Sequence, residues 1–120
     1  MRIYTTQQAI DYGDTMNSSQ RLLTELKAAH GLPSDYKAAK FLEVTHQSIS
    51  GINTGRSQFS DENLVKIAHL LNLDPVETLA KVHIETAKSH KMRQVWEGIL
   101  ENAHLATIRA SRGIQADQVA

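Results

Sequence analysis

Residues 34–56, SDYKAAKFLEVTHQSISGINTGR, decide how this chain is read. Ser34 is placed to cap a short helix, with Asp35 in its first turn where the helix dipole favours an acid. Ala38, Ala39 and Leu42 give that helix an inner face, and it ends near Leu42. Thr45 then stands as the N-cap of a second short helix, His46 to Asn53, which Gly55 closes. Between the two lies a tight Glu43-Val44-Thr45 turn. Ala39 sits where the helices must approach, so a small side chain is required there. Val44, Ile49 and Ile52 plug the crossing. With Ile49 and Ile52 turned inward, His46, Gln47 and Ser48 form the first turn of the second helix and project outward. Two helices packed at about 100° in this way leave the second one proud of the surface. A protruding helix end with short polar side chains can enter a DNA major groove, where Gln pairs with adenine through two hydrogen bonds.

Helical signals continue on both sides. Upstream, Thr5 to Tyr12 is a candidate short helix, broken by Gly13 and Asp14. A longer one runs from about Met16 to His30, with Leu22, Leu23, Leu26 and Ala29 or His30 at helical spacing. Asn17 with Gln20 makes a capping box at its start, although Asp14 or Thr15 could also serve. Gly31 is placed as its C-terminal cap, followed by Pro33. Downstream, Ser60 is a cap with Asp61 and Glu62 behind it. Leu64, Ile67, Ala68 and Leu71 form the cleanest helical stripe in the chain, ended by Asn72 and Leu73. Asp74-Pro75-Val76-Glu77 restarts a helix, with Asp at N-cap, Pro at N1 and Glu at N3. From Pro75 to about Ser111 either one long helix or two joined helices fit, and a break near Ser89-His90 is preferred. Met92, Val95, Trp96, Ile99, Ala103 and Ala106 continue an apolar stripe. Gly113 to Ala120 has too little apolar content to pack and is expected to be a flexible tail.

Composition narrows the choices. The chain has 120 residues, with 13 Lys+Arg against 13 Asp+Glu, and no cysteine. Disulfide frameworks, thiol nucleophiles and cysteine-based metal centres are therefore excluded. Zero net charge argues against indiscriminate nucleic-acid binding and requires any such contact to come from a local patch. Between Arg21 and Ser60 there are five Lys/Arg against three Asp/Glu, a faint positive excess. Aromatics make up 5% and the apolar set is mostly Leu, Ile, Val and Ala, a diet of packed helices. No apolar run is long enough to span a membrane, and the N-terminus is too polar for a secretory signal, so a cytoplasmic protein is expected.

The pattern of Ala39, Val44, Thr45, Gln47, Ser48, Ile49, Ser50, Ile52 and Gly55 resembles the Cro/repressor (Xre-like) helix-turn-helix family. The resemblance covers roughly residues 18 to 73, about half the chain. It departs from the family at Glu43, where Gly is frequent, and at Asn53, where Glu is common. The flanking segments look like those of small phage-type transcriptional regulators. The implied fold is all-α, a lambda-repressor-like bundle of five to six helices with a C-terminal helical extension. By the same resemblance His46, Gln47, Ser48, Ser50 and Gly51 face base edges, Gly51 by leaving room for close approach. Thr45, Asn53, Thr54, Arg56, Ser57 and Gln58 are assigned to phosphates. Lys37 and Lys40 bracket the backbone from the supporting helix, and Ser34 with the amides behind it forms an anion site.

Competing chemistries find less support. His83-Ile-Glu85 mimics the His-x-Glu of zinc deaminases, but the cysteines that would complete the site do not exist. Ser34-Asp-Tyr-Lys37 matches Ser-x-x-Lys without its companion motifs. Asp61-Glu62 reads as helix-start charge. Neither an enzyme nor a metal or cofactor is expected. Lys88, His90, Lys91 and Arg93 read as a solvated face, with a supplementary phosphate contact as the alternative.

The expected organisation is a DNA-binding domain over residues 1–73, a helical extension over 74–112 and a tail over 113–120. Met92, Val95, Trp96 and Ile99 are the candidate dimer stripe, unless they cover the same core instead. The expected function is a sequence-specific duplex-DNA-binding regulator, a dimeric repressor using helix 46–53. The alternative is an antitoxin-type autoregulator that also holds a toxin through its C-terminal helices.

Overall fold

A computed structural model describes the backbone of residues 16–119 and side chains as far as residue 110. The expected helix at Thr5 to Tyr12 lies outside the described residues. Within them the chain is all-helical: α1 (Ser18–Ala29), α2 (Asp35–Leu42), α3 (His46–Asn53), α4 (Asp61–Leu70), α5 (Pro75–Thr86) and α6 (His90–Val119).

Local chemistry explains where these helices start. Asn17, Ser34, Thr45, Ser60 and Asp74 each accept a hydrogen bond from a backbone N–H in the turn they cap. Asn17 and Gln20 complete the reciprocal capping box. Ser89 does the same for α6, its hydroxyl accepting from the Met92 N–H at 3.1 Å.

The ends of α1 to α4 share one device. Gly31, Glu43, Gly55 and Asn72 all take positive φ. The residue after each donates its N–H to a carbonyl five residues back: Leu32 to Lys27, Val44 to Ala39, Arg56 to Gly51 and Leu73 to Ala68. Glu43 is the costly member of the set, with φ 61° and ψ 42° where glycine is most at ease. Its strained turn is held by its own N–H, which donates to the Ala39 and Lys40 carbonyls. Lys66, reaching from α4, adds an ammonium bond to the Leu42 carbonyl at 3.1 Å.

The core is continuous from α1 to α5. Leu22, Leu23, Leu26, Ala38, Ala39, Leu42, Ile49, Ile52, Leu64 and Ile67 are buried together, with Val44 and Leu71 half-buried against them. Each large side chain buried this way contributes about 1.5–3 kcal/mol. Phe59 joins the same cluster from the loop before α4, where no helical period marks it. Val82 joins it from α5, and Leu79 packs against it. The expected boundary at residue 73 therefore falls inside one packed body, and α5 covers the core rather than extending beyond it.

The helices α5 and α6 form an antiparallel hairpin, broken at Ala87–Ser89 as expected. Trp96 stacks on His83, with ring centroids 4.2 Å apart and planes 10° from parallel. Farther along α6, His104 meets Glu77 at 3.2 Å. The backbone of α6 stays helical through Val119, so the tail expected to begin at Gly113 is a continuation of the helix. Nothing interrupts the backbone hydrogen bonding there, since no proline follows Pro75. Among the described residues, no helix is long and apolar enough to cross a membrane.

Candidate nucleic-acid interface

The helix α3 presents two different ends. Its N-terminal turn is open. His46, Gln47 and Ser48 are exposed, and the Ser48 N–H donates to the Thr45 hydroxyl at 3.0 Å. Behind this turn Ile49 and Ile52 are fully buried, so the helix cannot roll without withdrawing both from the core. The sequence expectation that these three side chains face outward is met. Ser50 is only half-buried and stands beside them.

The other end is tied down. Gly51 was expected to face base edges, but it is buried. A Cβ built on it would lie 2.5 Å from the Ser57 Oγ. The glycine therefore makes room for the chain folding back after α3 and does not face outward as the sequence reading has it, while Ser57 itself is exposed. Thr54 donates its hydroxyl to the Gly51 carbonyl at 3.1 Å. The Asn53 side-chain amide, assigned to phosphate from sequence, donates instead to the Asp35 carboxylate. Gln20 donates to the Asn53 carbonyl at 3.0 Å, anchoring the end of α3 to the start of α1.

Asp35 also changes the reading of the α2 start. Its carboxylate takes Lys27 at 2.8 Å as well as the Asn53 amide. Ser34 is committed to capping, its Oγ accepting the Lys37 N–H at 3.2 Å. The anion site expected at this helix end thus already has a carboxylate beside it, which opposes a phosphate there. Thr45 is likewise occupied as a cap. Of the other residues assigned to phosphate, Lys37, Lys40 and Arg56 are exposed cations. Lys40 holds its ammonium 5.3 Å from the Tyr36 ring centroid. Gln58 is half-buried, and its Oε1 is buried without a hydrogen-bond partner among the described residues.

The structure thus brings the segment singled out from sequence to one surface but commits part of it to contacts within the chain. Exposed in this segment are His46, Gln47 and Ser48, with Lys37, Lys40 and Arg56 as flanking charge; Asn53, Thr54 and Ser57 are exposed too, the first two with their side chains bonded within the chain. Gln20, Asp35 and Lys66 were missed as the residues that hold this surface in place. Only Gln20 left a local signal, its capping box with Asn17; the other links join residues far apart in sequence.

The dimer stripe divides in the same way. Met92 and Val95 are 48% and 49% exposed, and Leu105 and Ile108 farther along α6 are comparable. Trp96 is half-buried on His83, so its ring is used within the chain, and Ile99 is half-buried as well. No protein-family model, curated protein or solved structure matches this chain.

Proposed function

We propose that this protein reads duplex DNA by inserting the first turn of α3 into the major groove, and that it regulates transcription from the bound site. Gln47 reads an adenine through its amide, while His46 and Ser48 make single contacts to base edges or phosphates. Arg56, Lys37 and Lys40 contribute sequence-independent attraction to the backbone. The observation that carries this reading is the exposure of His46, Gln47 and Ser48 on a helix whose opposite side is locked into the core by Ile49 and Ile52. Recognition needs polar side chains that are both uncovered and rigidly aimed.

One module of this size buries too little surface for tight, selective binding, so a twofold dimer completes the proposal, with half-sites about 34 Å apart. The exposed Met92, Val95, Leu105 and Ile108 on α6 support self-association through that helix. In a cytoplasmic setting, occupancy over a promoter blocks polymerase and gives repression.

Selection from random duplexes, followed by binding titrations at several salt concentrations, tests this. The expected result is an enriched site with twofold symmetry and affinity that falls steeply with salt. Absence of salt-sensitive binding to any duplex overturns it.

A further inference from the structure

We infer that Lys88, Lys91 and Arg93, at the junction of α5 and α6, form a second phosphate-binding patch that grips the duplex beside the site read by α3. This rests on the DNA-binding reading above and adds a surface that reading does not use. Three observations carry it.

The first is charge. Lys88, His90, Lys91 and Arg93 are all exposed. Among the described residues, none of the three cations is paired with a carboxylate. The nearby acids are mostly engaged elsewhere. Glu85 accepts from the Ser18 N–H at 3.0 Å and meets Arg21 at 3.8 Å. Asp61 takes His83 at 2.9 Å. Glu62 and Glu97 are the exposed acids without such a partner, Glu97 one helical turn from Arg93, so Lys88 and Lys91 are the cations farthest from an opposing charge on α6.

The second is position. Two independent chains of contacts bring this junction to the same end of the molecule as the loop after α3. Along one, the Asn53 carbonyl receives Gln20, the Gln20 side chain receives the Asn17 N–H at 2.8 Å, and the adjacent Ser18 N–H meets Glu85. Lys88 follows Glu85 by three residues, a Cα path of at most about 11 Å. Along the other, Phe59 donates its N–H to the Ser19 hydroxyl, and Asp61 beyond it meets His83 on α5. The loop after α3 and the end of α5 are thereby both tied to the start of α1, and Asp61 just beyond that loop reaches α5 directly.

The third is shape. Ser89 caps α6 and fixes its first turn. Lys91 and Arg93 leave that turn on nearly opposite sides, about 160° apart, both tilted toward the helix start, with Lys88 ahead of them. Cations fanned out in this way suit a row of phosphates along a duplex better than one small anion.

The test uses the full chain and the duplex obtained by selection, in two lengths. One carries about ten base pairs of flank on each side, and the other is trimmed to the selected site. Wild type, Arg56→Ala and the triple variant Lys88→Gln, Lys91→Gln, Arg93→Gln are titrated across a salt series, with thermal unfolding as the check on folding. On the long duplex the triple variant should lose about 2–3 from the salt slope and about tenfold or more in affinity near physiological salt. Its base preference should be unchanged, and its deficit should largely disappear on the trimmed duplex. A triple variant that matches wild type on the long duplex, while Arg56→Ala weakens, overturns the patch and leaves the α3 reading standing. An equal deficit on both lengths also overturns it, because the contact then is not to flanking DNA. No salt-sensitive binding by wild type removes both.

Discussion

His46, Gln47 and Ser48 stand exposed at one end of α3 with no side-chain partner among the described residues, whereas at the other Gly51 is buried and the exposed Asn53 and Thr54 bond their side chains within the chain. Both ends carry small polar residues, and sequence alone gives both to DNA. The difference lies in what each end touches. At the C-terminal end Gly51 takes the returning loop, the Asn53 amide takes Asp35, and the Thr54 hydroxyl takes the Gly51 carbonyl. At the N-terminal end the Thr45 hydroxyl takes only the Ser48 backbone N–H and leaves the side chains of the first turn alone. Anchoring one end of so short a helix is what allows the other to be presented in a fixed direction. Presentation without anchoring would spread Gln47 over many orientations, and each lost orientation would then be a cost of binding.

The difference between the two ends is most exposed to attack at Ile49, on which both depend. Ile49→Ala should destabilise the protein by about 2–5 kcal/mol, because a fully buried side chain leaves a cavity between α2 and α3. Urea unfolding measures it, and a loss below about 1 kcal/mol would mean that α3 is not held from behind.

A smaller change, in the opposite direction, is expected at the turn that leads into α3. Glu43→Gly should stabilise by about 1 kcal/mol, since glycine takes the observed left-handed conformation without the Cβ conflict. A rise in Tm with an unchanged fold supports this, and a fall shows that the turn is not left-handed in solution.

The smallest effect is a coupling. Alanine at position 51 should gain about 0.5–1 kcal/mol from helix propensity once Ser57 is also alanine, and should gain little while the Ser57 hydroxyl remains. With the hydroxyl gone, the next atom of residue 57 lies at an ordinary 3.6 Å from the Gly51 Cβ position. Equal effects of Gly51→Ala in both backgrounds would return Gly51 to the open face.

These contrasts also explain how much of the molecule can be read without coordinates. The helix starts were legible because a cap and the amide it binds lie within three or four residues, as at Thr45 and Ser48. The core of α1 to α4 was legible because Leu22, Leu26, Leu64 and Ile67 repeat at helical spacing. Phe59 was not, since a loop residue has no period. Gly51 and Asn53 were misread because Ser57 and Asp35 meet them through folding back of the chain, the second across 18 positions. Trp96 fitted the apolar stripe of α6, but His83 on α5 already stacks on it. Its stripe could show that something is covered, not what covers it. The exposure of the first turn of α3 was legible because it follows from the inward turn of Ile49 and Ile52 alone.

The most direct test of α3 as the reading element is to repeat the duplex selection with Gln47→Ala and Arg56→Ala beside the wild-type chain. Gln47→Ala should relax the preference at one base pair, a loss of about 1–3 kcal/mol in discrimination there, and leave the other positions intact. Arg56→Ala should weaken all duplexes alike and lower the salt slope by about 1. If both variants instead weaken binding uniformly, with the selected site unchanged, then Gln47 reads no base and α3 is not the reading element.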